Sequence, residues 1–312
     1  MNIESMQGVL LGFFLIAVII VVGFIGAKTK IVDHTSERVL NRVAFNIATP
    51  ALLFGVISQA DLSVLLSDAL IIQFITIAIC LIITVIVLKA FSGLSLGPIA
   101  LAAGSTVWVN ANNIGLPMSI YVLGDGSYVA STILYQILIF SPVLLFILDM
   151  ATKGKTSVLG IMTQPFKNPI TIGSALGLVV AITQIELPDF VTMPFEILGT
   201  AAIPLMLLSF GIGIGTAKLP GSEPEKFRGF WFVVLMKLIG FPLVSYLLGA
   251  FVYGLEGIQL LALVLISSLP SAQNIYNFSS QYQIFTGTTR TIVLYTTLGS
   301  LPVILGFAAF VS

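Results

Sequence analysis

The stretch Val107–Gly124, VWVNANNIGLPMSIYVLG, decides how this chain is read. It places three amides, Asn110, Asn112 and Asn113, within four positions and follows them with Gly115 and Pro117. The sequence on either side is almost wholly apolar. A proline removes one backbone donor and frees the carbonyl a turn earlier. Inside a bilayer such groups must be satisfied by neighbours, by water or by a lined cavity. A polar, interrupted stretch in an apolar chain therefore implies a broken helix whose polar groups face something other than lipid.

Composition supplies the setting. Of 312 residues, 57% are hydrophobic and 8% charged, with a mean hydropathy of +1.10, whereas a soluble domain carries about a quarter charged residues. Most of this surface does not meet water, so the chain is an integral membrane protein and the lipid bilayer is its first partner. Net charge is zero and the basic residues are scattered, which excludes a nucleic-acid partner. One cysteine (Cys80) and one histidine (His34) exclude an internal disulfide framework and a protein-built zinc or iron–sulfur site, so no cofactor or metal is expected. An enzyme would need a nucleophile–base or metal constellation. A loop histidine and no acid in the middle of a span make poor material for one, so no enzymatic activity is expected.

A helix crosses the hydrocarbon core in about 20 residues. Cutting at charged or Gly/Pro-rich breaks gives ten spans, roughly 7–27, 36–58, 65–89, 97–122, 128–150, 168–185, 192–217, 229–253, 257–282 and 287–311 by that rule. The first is a span and not a signal peptide, because its N-terminal flank lacks Lys and Arg while Lys28 and Lys30 follow it. Lys28, Lys30, Arg38, Arg42, Lys89, Lys153, Lys155, Lys167, Lys218, Lys226, Arg228 and Arg290 all fall in odd-numbered loops or at their edges, twelve of the 13 basic residues. The even loops carry acids such as Asp61, Asp125, Asp189 and Glu256. The positive-inside rule then makes the odd loops cytoplasmic and both termini extracytoplasmic.

Prolines recur at a nearly constant offset. Pro50 and Pro204 are 154 positions apart in spans 2 and 7, Pro117 and Pro270 are 153 apart in spans 4 and 9, and Pro142 and Pro302 are 160 apart in spans 5 and 10. Three ordered matches predict two repeats of five helices, residues 1–150 and 168–312, joined by a cytoplasmic linker at 151–167. Five is odd, so the second repeat is inverted, an architecture of secondary transporters whose sites lie at paired broken helices. Span 9, LISSLPSAQNIYNFSSQY, carries Pro270, Ser271, Gln273, Asn274 and Asn277 at the depth of the span 4 amides. Half-helix N-termini meeting there would offer N–H groups and partial positive charge to an anion. Amide side chains would add donors without a buried full charge. The competing role for each amide is to bridge helix to helix.

At these residues the chain resembles the auxin efflux carrier family of membrane permeases. Asn110, Gly115 and Pro117, the turn YVLGDGS, the span 9 stretch PSAQNIYNFSSQY, LNRVAFNIATPALLF in span 2 and IPLMLLSFGI in span 7 carry the resemblance, which covers essentially the full length. It implies an all-α membrane fold shared with bile-acid symporters, with crossover helices 4 and 9, scaffold helices 1, 2, 6 and 7 and transport helices 3–5 and 8–10. It implies alternating-access transport of small organic anions such as malate, malonate or auxin-like acids across the cell membrane, and scaffold helices that could support a homodimer. The family commonly has small residues after the span 4 asparagine, whereas Asn112 and Asn113 stand here, a more polar pocket.

Lys237 lies about 13 Å deep in span 8 by helical rise. It either snorkels to the cytoplasmic surface or supports the transport domain where a coupling cation would sit. Asp149 reads as a solvated helix-end charge. Tyr276, with Tyr121 and Tyr282, flanks the broken helices, and Asn46 in span 2 fits site support or helix packing. The alternative within transport is a cation-coupled, sodium or proton, exchanger or symporter of the same fold. In a Cys80→Ser background, Lys30→Cys should react with an impermeant maleimide only from the cytoplasmic side and Glu256→Cys only from outside; the reverse pattern would overturn the orientation.

Overall fold

The structure is a computed structural model that describes residues 3–59, 68–152, 163, 165–216 and 227–311, and among these it contains helices and no strand. The linker expected at 151–167 falls largely outside the described residues, as do Asp61, Lys153, Lys155, Lys218 and Lys226. The helices are α1 (Ile3–Lys28), α2 (His34–Ser58), α3 (Asp68–Phe91), α4 (Leu96–Val107), α5 (Leu116–Tyr121) and α6 (Ser127–Thr152). They continue with α7 (Pro169–Thr183), α8 (Asp189–Thr216), α9 (Phe230–Val252), α10 (Gly257–Ser268), α11 (Gln273–Tyr282) and α12 (Thr286–Val311). Six of them, α2, α3, α6, α8, α9 and α12, are long and apolar enough to cross a membrane, while α4, α7 and α10 are shorter apolar helices.

Four prolines share a local solution. A proline inside a helix lacks the N–H and collides with the carbonyl four residues back. In α2, before α5, in α6 and in α9, a five-residue π-turn ends two residues ahead of the proline: Ala44–Ala48 before Pro50, Ala111–Gly115 before Pro117, Gln136–Phe140 before Pro142 and Met236–Gly240 before Pro242. The wider i→i+5 ring lets the N–H just ahead of the proline bond the carbonyl five residues before it. Thr49 N–H reaches Ala44 O, and Phe241 N–H reaches Met236 O.

The chain divides into two compact units. The first comprises Met1–Leu66, Asn112–Ile137 and Thr163–Leu219, and the second Ser67–Ala111, Leu138–Met162 and Pro220–Ser312. Unit 1 thus holds α1, α2, α5, the start of α6, α7 and α8. Its helices touch backbone to backbone, as membrane helices do when small residues recur every fourth position. Gly211 of α8 faces the Ile20 carbonyl of α1, and a Cβ added at Gly215 would lie 2.7 Å from the Ala27 Cβ. On α7, Gly173 faces the Pro50 carbonyl of α2, and a Cβ added at Gly177 would stand 2.8 Å from the Phe54 carbonyl oxygen. At the start of α2, Asp33 accepts from Ser36 N–H at 2.8 Å, and the hydrogen bonds from Ser36 hold its carboxyl below the usual range. Ser209 of α8 donates to the Glu37 carbonyl at 3.1 Å.

Unit 2 holds α3, α4, the rest of α6 and α9–α12. One core cluster joins Leu88, Ile99, Ala102, Phe230, Val233, Leu238 and Ile292 from α3, α4, α9 and α12. A second packs Leu101, Trp108, Leu144, Leu148, Ala272 and Ile275, with Trp108 between the rings of Phe140 and Phe278 at 6.2 and 5.8 Å.

A Cβ at Gly211 has nowhere to go, whereas one at Gly55 of α2 meets nothing within 4 Å. Gly211→Ala should therefore destabilise the protein by about 1–3 kcal/mol, read as a lower melting temperature in detergent. Gly55→Ala should raise it, by about 0.5–1 kcal/mol of helix propensity. Equal melting temperatures would deny the close approach.

Candidate functional site

In unit 2 the amide-bearing stretch of span 4 meets that of span 9. α4 ends at Val107, and Trp108 turns to extended backbone while its N–H still bonds Gly104 O at 2.9 Å. α10 ends at Ser268, with Leu269 and Ala272 both in extended conformation. The two breaks pair antiparallel. Asn110 N–H donates to Pro270 O at 2.8 Å and Ala272 N–H to Trp108 O at 2.9 Å, flanking the opposed residues Val109 and Ser271. Each break thus satisfies groups that the other exposes, the condition for leaving a helix inside lipid.

Ser271 ties the pair to its surroundings. Its Oγ donates to Ser105 O of α4 at 2.6 Å, and its N–H donates to Thr296 Oγ1 of α12 at 3.2 Å. Ser105, Ser271 and Thr296 are fully buried, and Asn110 is 5% exposed. α11 starts directly after the break with no side-chain cap, so its leading N–H groups point out of the helix end. Gln273 and Asn274 occupy that first turn and are half-buried, as is Tyr276, while Asn277 is exposed.

The structure brings Asn110, Pro270, Ser271, Gln273 and Asn274 together at the paired breaks. Asn112, Asn113 and Pro117 belong to unit 1, where Asn112 Nδ2 lies 3.5 Å from Asn113 Oδ1 and Pro117 is buried behind the π-turn. Asn46, also in unit 1, is exposed and donates from Nδ2 to Arg42 O at 2.8 Å, satisfying a carbonyl of its own helix.

Two charged residues depart from their expected surroundings. Lys237 does not snorkel: its side chain is fully buried, with Nζ 3.4 Å from Ser267 O and 4.5 Å above the Phe241 ring. Asp149 is 8% exposed and accepts a hydrogen bond from Tyr282 OH at 2.8 Å, joining the far ends of α6 and α11.

Sequence reasoning passed over a buried polar cluster beside the break. Ser267 Oγ lies 2.7 Å from Ser245 Oγ and 3.3 Å from Gln73 Oε1, and Ser245 Oγ lies 3.4 Å from Thr76 Oγ1. The signal was a lone glutamine in the apolar run of α3.

This arrangement defines a multi-pass helical membrane protein whose polar groups gather at helix interruptions. The chain belongs to the family described as “Membrane transport protein”, whose sequence model matches residues 13–308, in keeping with the resemblance carried by spans 2, 4, 7 and 9. It is similar to a protein of Rhizobium meliloti named “Putative malonate transporter”, 24% identical over 97% of this chain and 94% of that protein. It is also similar to an uncharacterized transporter of Methanocaldococcus jannaschii, 21% identical over 93% of this chain and 94% of that protein.

Ser271→Ala strands the Ser105 carbonyl and should cost about 1–3 kcal/mol, read as a lower melting temperature in detergent. An unchanged melting temperature would show that the hydroxyl does not hold the breaks together.

Proposed function

We propose that the chain is a secondary transporter of small organic anions, malonate- or malate-like carboxylates or auxin-like acids, across the cell membrane. The observation that carries this is the pairing of Trp108–Asn110 with Pro270–Ala272 beside Gln273, Asn274 and the uncapped start of α11. An uncapped helix start and neutral amides suit a carboxylate: the N–H groups donate to its oxygens, the helix end offers partial positive charge, and no fixed counter-charge is needed. The apolar rings of Trp108, Phe140 and Phe278 lie on the same side chain cluster as Ala272 and Ile275 and would shield it from water.

In this proposal α4–α5 and α10–α11 are the crossover helices of two inverted five-helix repeats. The packing in unit 1 supports the repeat. Exchanging span 1 with span 6 and span 2 with span 7 carries the α1–α8 contact onto the α7–α2 contact. In each contact a glycine of the first helix of one repeat faces a backbone carbonyl of the second helix of the other, Gly23 the Leu208 carbonyl and Gly173 the Pro50 carbonyl. Spans 1, 2, 6 and 7 form the scaffold, through which the chain dimerises. The remaining spans carry the site from one side to the other in an elevator movement, with both termini extracytoplasmic. Malonate stands first among substrates because of the name given to the Rhizobium meliloti relative.

The test is uptake of radiolabelled malonate, malate, lactate and indole-3-acetate into proteoliposomes, comparing the wild type with Asn110→Ala and Asn274→Ala. Saturable flux of one acid is expected, falling about tenfold or more in each variant, the equivalent of one lost hydrogen bond to a charged group. No flux of any acid, with sodium- or proton-driven pH changes instead, would sink the proposal and point to a cation exchanger.

A further inference from the structure

Lys237 is a buried basic side chain that the substrate site does not use. It sits in the π-turn Met236–Gly240 of α9, fully buried. Its contacts are the Ser267 carbonyl at 3.4 Å and the Phe241 ring at 4.5 Å; neither is a carboxylate. No Asp or Glu lies in the middle of a span. A permanent unpaired ammonium in such a place is costly. Arginine would have no escape from that cost, whereas a lysine amine can exist with or without its proton.

The surroundings provide for both states. The Phe241 ring face and the C-terminal carbonyl of α10, where a helix carries partial negative charge, hold the ammonium. The dry enclosure suits the neutral amine. Ser267, whose carbonyl meets the amine, also bears the hydroxyl that opens the polar cluster of Ser245, Thr76 and Gln73, and in the Ser245–Ser267 pair, 2.7 Å apart, either hydroxyl can be the donor. Such a pair, on the residue whose carbonyl holds the amine, can reverse its direction as the amine changes state.

The other titratable groups leave this role to Lys237. On α3 Cys80 is a buried free thiol, while Asp68 and Lys89 stand at the two ends of that helix. On α9 itself Tyr246 packs against Phe251 and Phe310. On α12 Arg290 is exposed near the helix start, and Tyr295 packs against Phe230 and Trp231. The segments of α4 and α10 carry no titratable side chain.

We infer that Lys237 carries a proton across with the substrate anion, an inference that rests on the organic-anion reading above. The neutral amine takes one proton from water when the polar cluster opens on one side, becomes an ammonium held by Ser267 O and Phe241, and returns the proton to water on the other side. No other bond changes. The positive charge travels with the carboxylate and offsets it, and its hold on Ser267 fixes the end of α10 three residues before Pro270, where the paired break begins.

Two measurements test this. In proteoliposomes containing a pH-sensitive dye, malonate uptake by the wild type should acidify the lumen, with a rate that climbs by up to about tenfold per unit of external acidification. Lys237→Met should lose both the acidification and the pH dependence. Lys237→Arg, which keeps the charge but cannot release it, should lose net uptake. Lumen acidification per malonate equal to wild type in Lys237→Met would overturn the inference while leaving the transport reading intact.

The second measurement needs no substrate: hydrogen exchange of the Leu269, Ser271 and Ala272 amides across the same pH range, corrected for intrinsic exchange. Protection should depend on pH in the wild type and be flat in Lys237→Met. A flat wild-type profile would overturn the inference whatever the uptake result. A pH-dependent profile with no uptake of any organic acid would fail the transport reading, and with it the coupling of this proton to an anion.

Discussion

Backbone hydrogen bonding in a medium without water is the constraint on which the rest of this structure depends. Each N–H and C=O that leaves a helix within lipid must find a partner in the protein. The chain meets this in three ways. Two helix breaks pair with each other through Asn110, Pro270, Trp108 and Ala272. π-turns precede Pro50, Pro117, Pro142 and Pro242, and ahead of Pro50 and Pro242 they bond the Ala44 and Met236 carbonyls. Buried hydroxyls back-bond to their own helices, as Thr76 does to Ile72 O, Ser105 to Leu101 O, Ser267 to Leu263 O and Thr296 to Ile292 O.

The two units resolve packing differently. In unit 1, glycines bring helix backbones into contact and leave little for side chains to decide. In unit 2, apolar clusters surround a polar interior that holds Lys237, Gln73, Ser245 and Ser267. Membrane helices gain no hydrophobic driving force from meeting one another, so close contact and hydrogen bonding carry association. One unit relies on the first and the other on both.

Much of this was legible in the sequence because the signals were local. Length and composition placed the helical stretches, and the amides and prolines of Val107–Gly124 and Leu265–Tyr282 marked the breaks. What the sequence could not supply was direction. Asn46 bonds within its own helix, and Asn277 is exposed, although both have the residue type of a site. Lys237 and Asp149 are buried, although their distances from the helix ends allowed solvent. Gln73 looked like a stray amide until α3, α9 and α10 met around it. A π-turn explains part of the difficulty: it adds a residue to the turn and rotates the following helix by about 100°, so a face traced through 3.6-residue periodicity is lost at the proline.

The same extra residue has a mechanical meaning. An ordinary proline kink stiffens a helix by a clash and leaves a carbonyl bare. Here each of the four prolines is preceded by a widened ring, closed ahead of Pro50 and Pro242 by bonds to Ala44 O and Met236 O, so the helix behaves as two rods meeting at a joint that still carries hydrogen bonds. Two of these joints, Ala111–Gly115 and Gln136–Phe140, fall where the chain passes from one unit to the other. A chain that must stay bonded throughout its passage through lipid thus crosses from unit to unit at turns that have room for an extra residue.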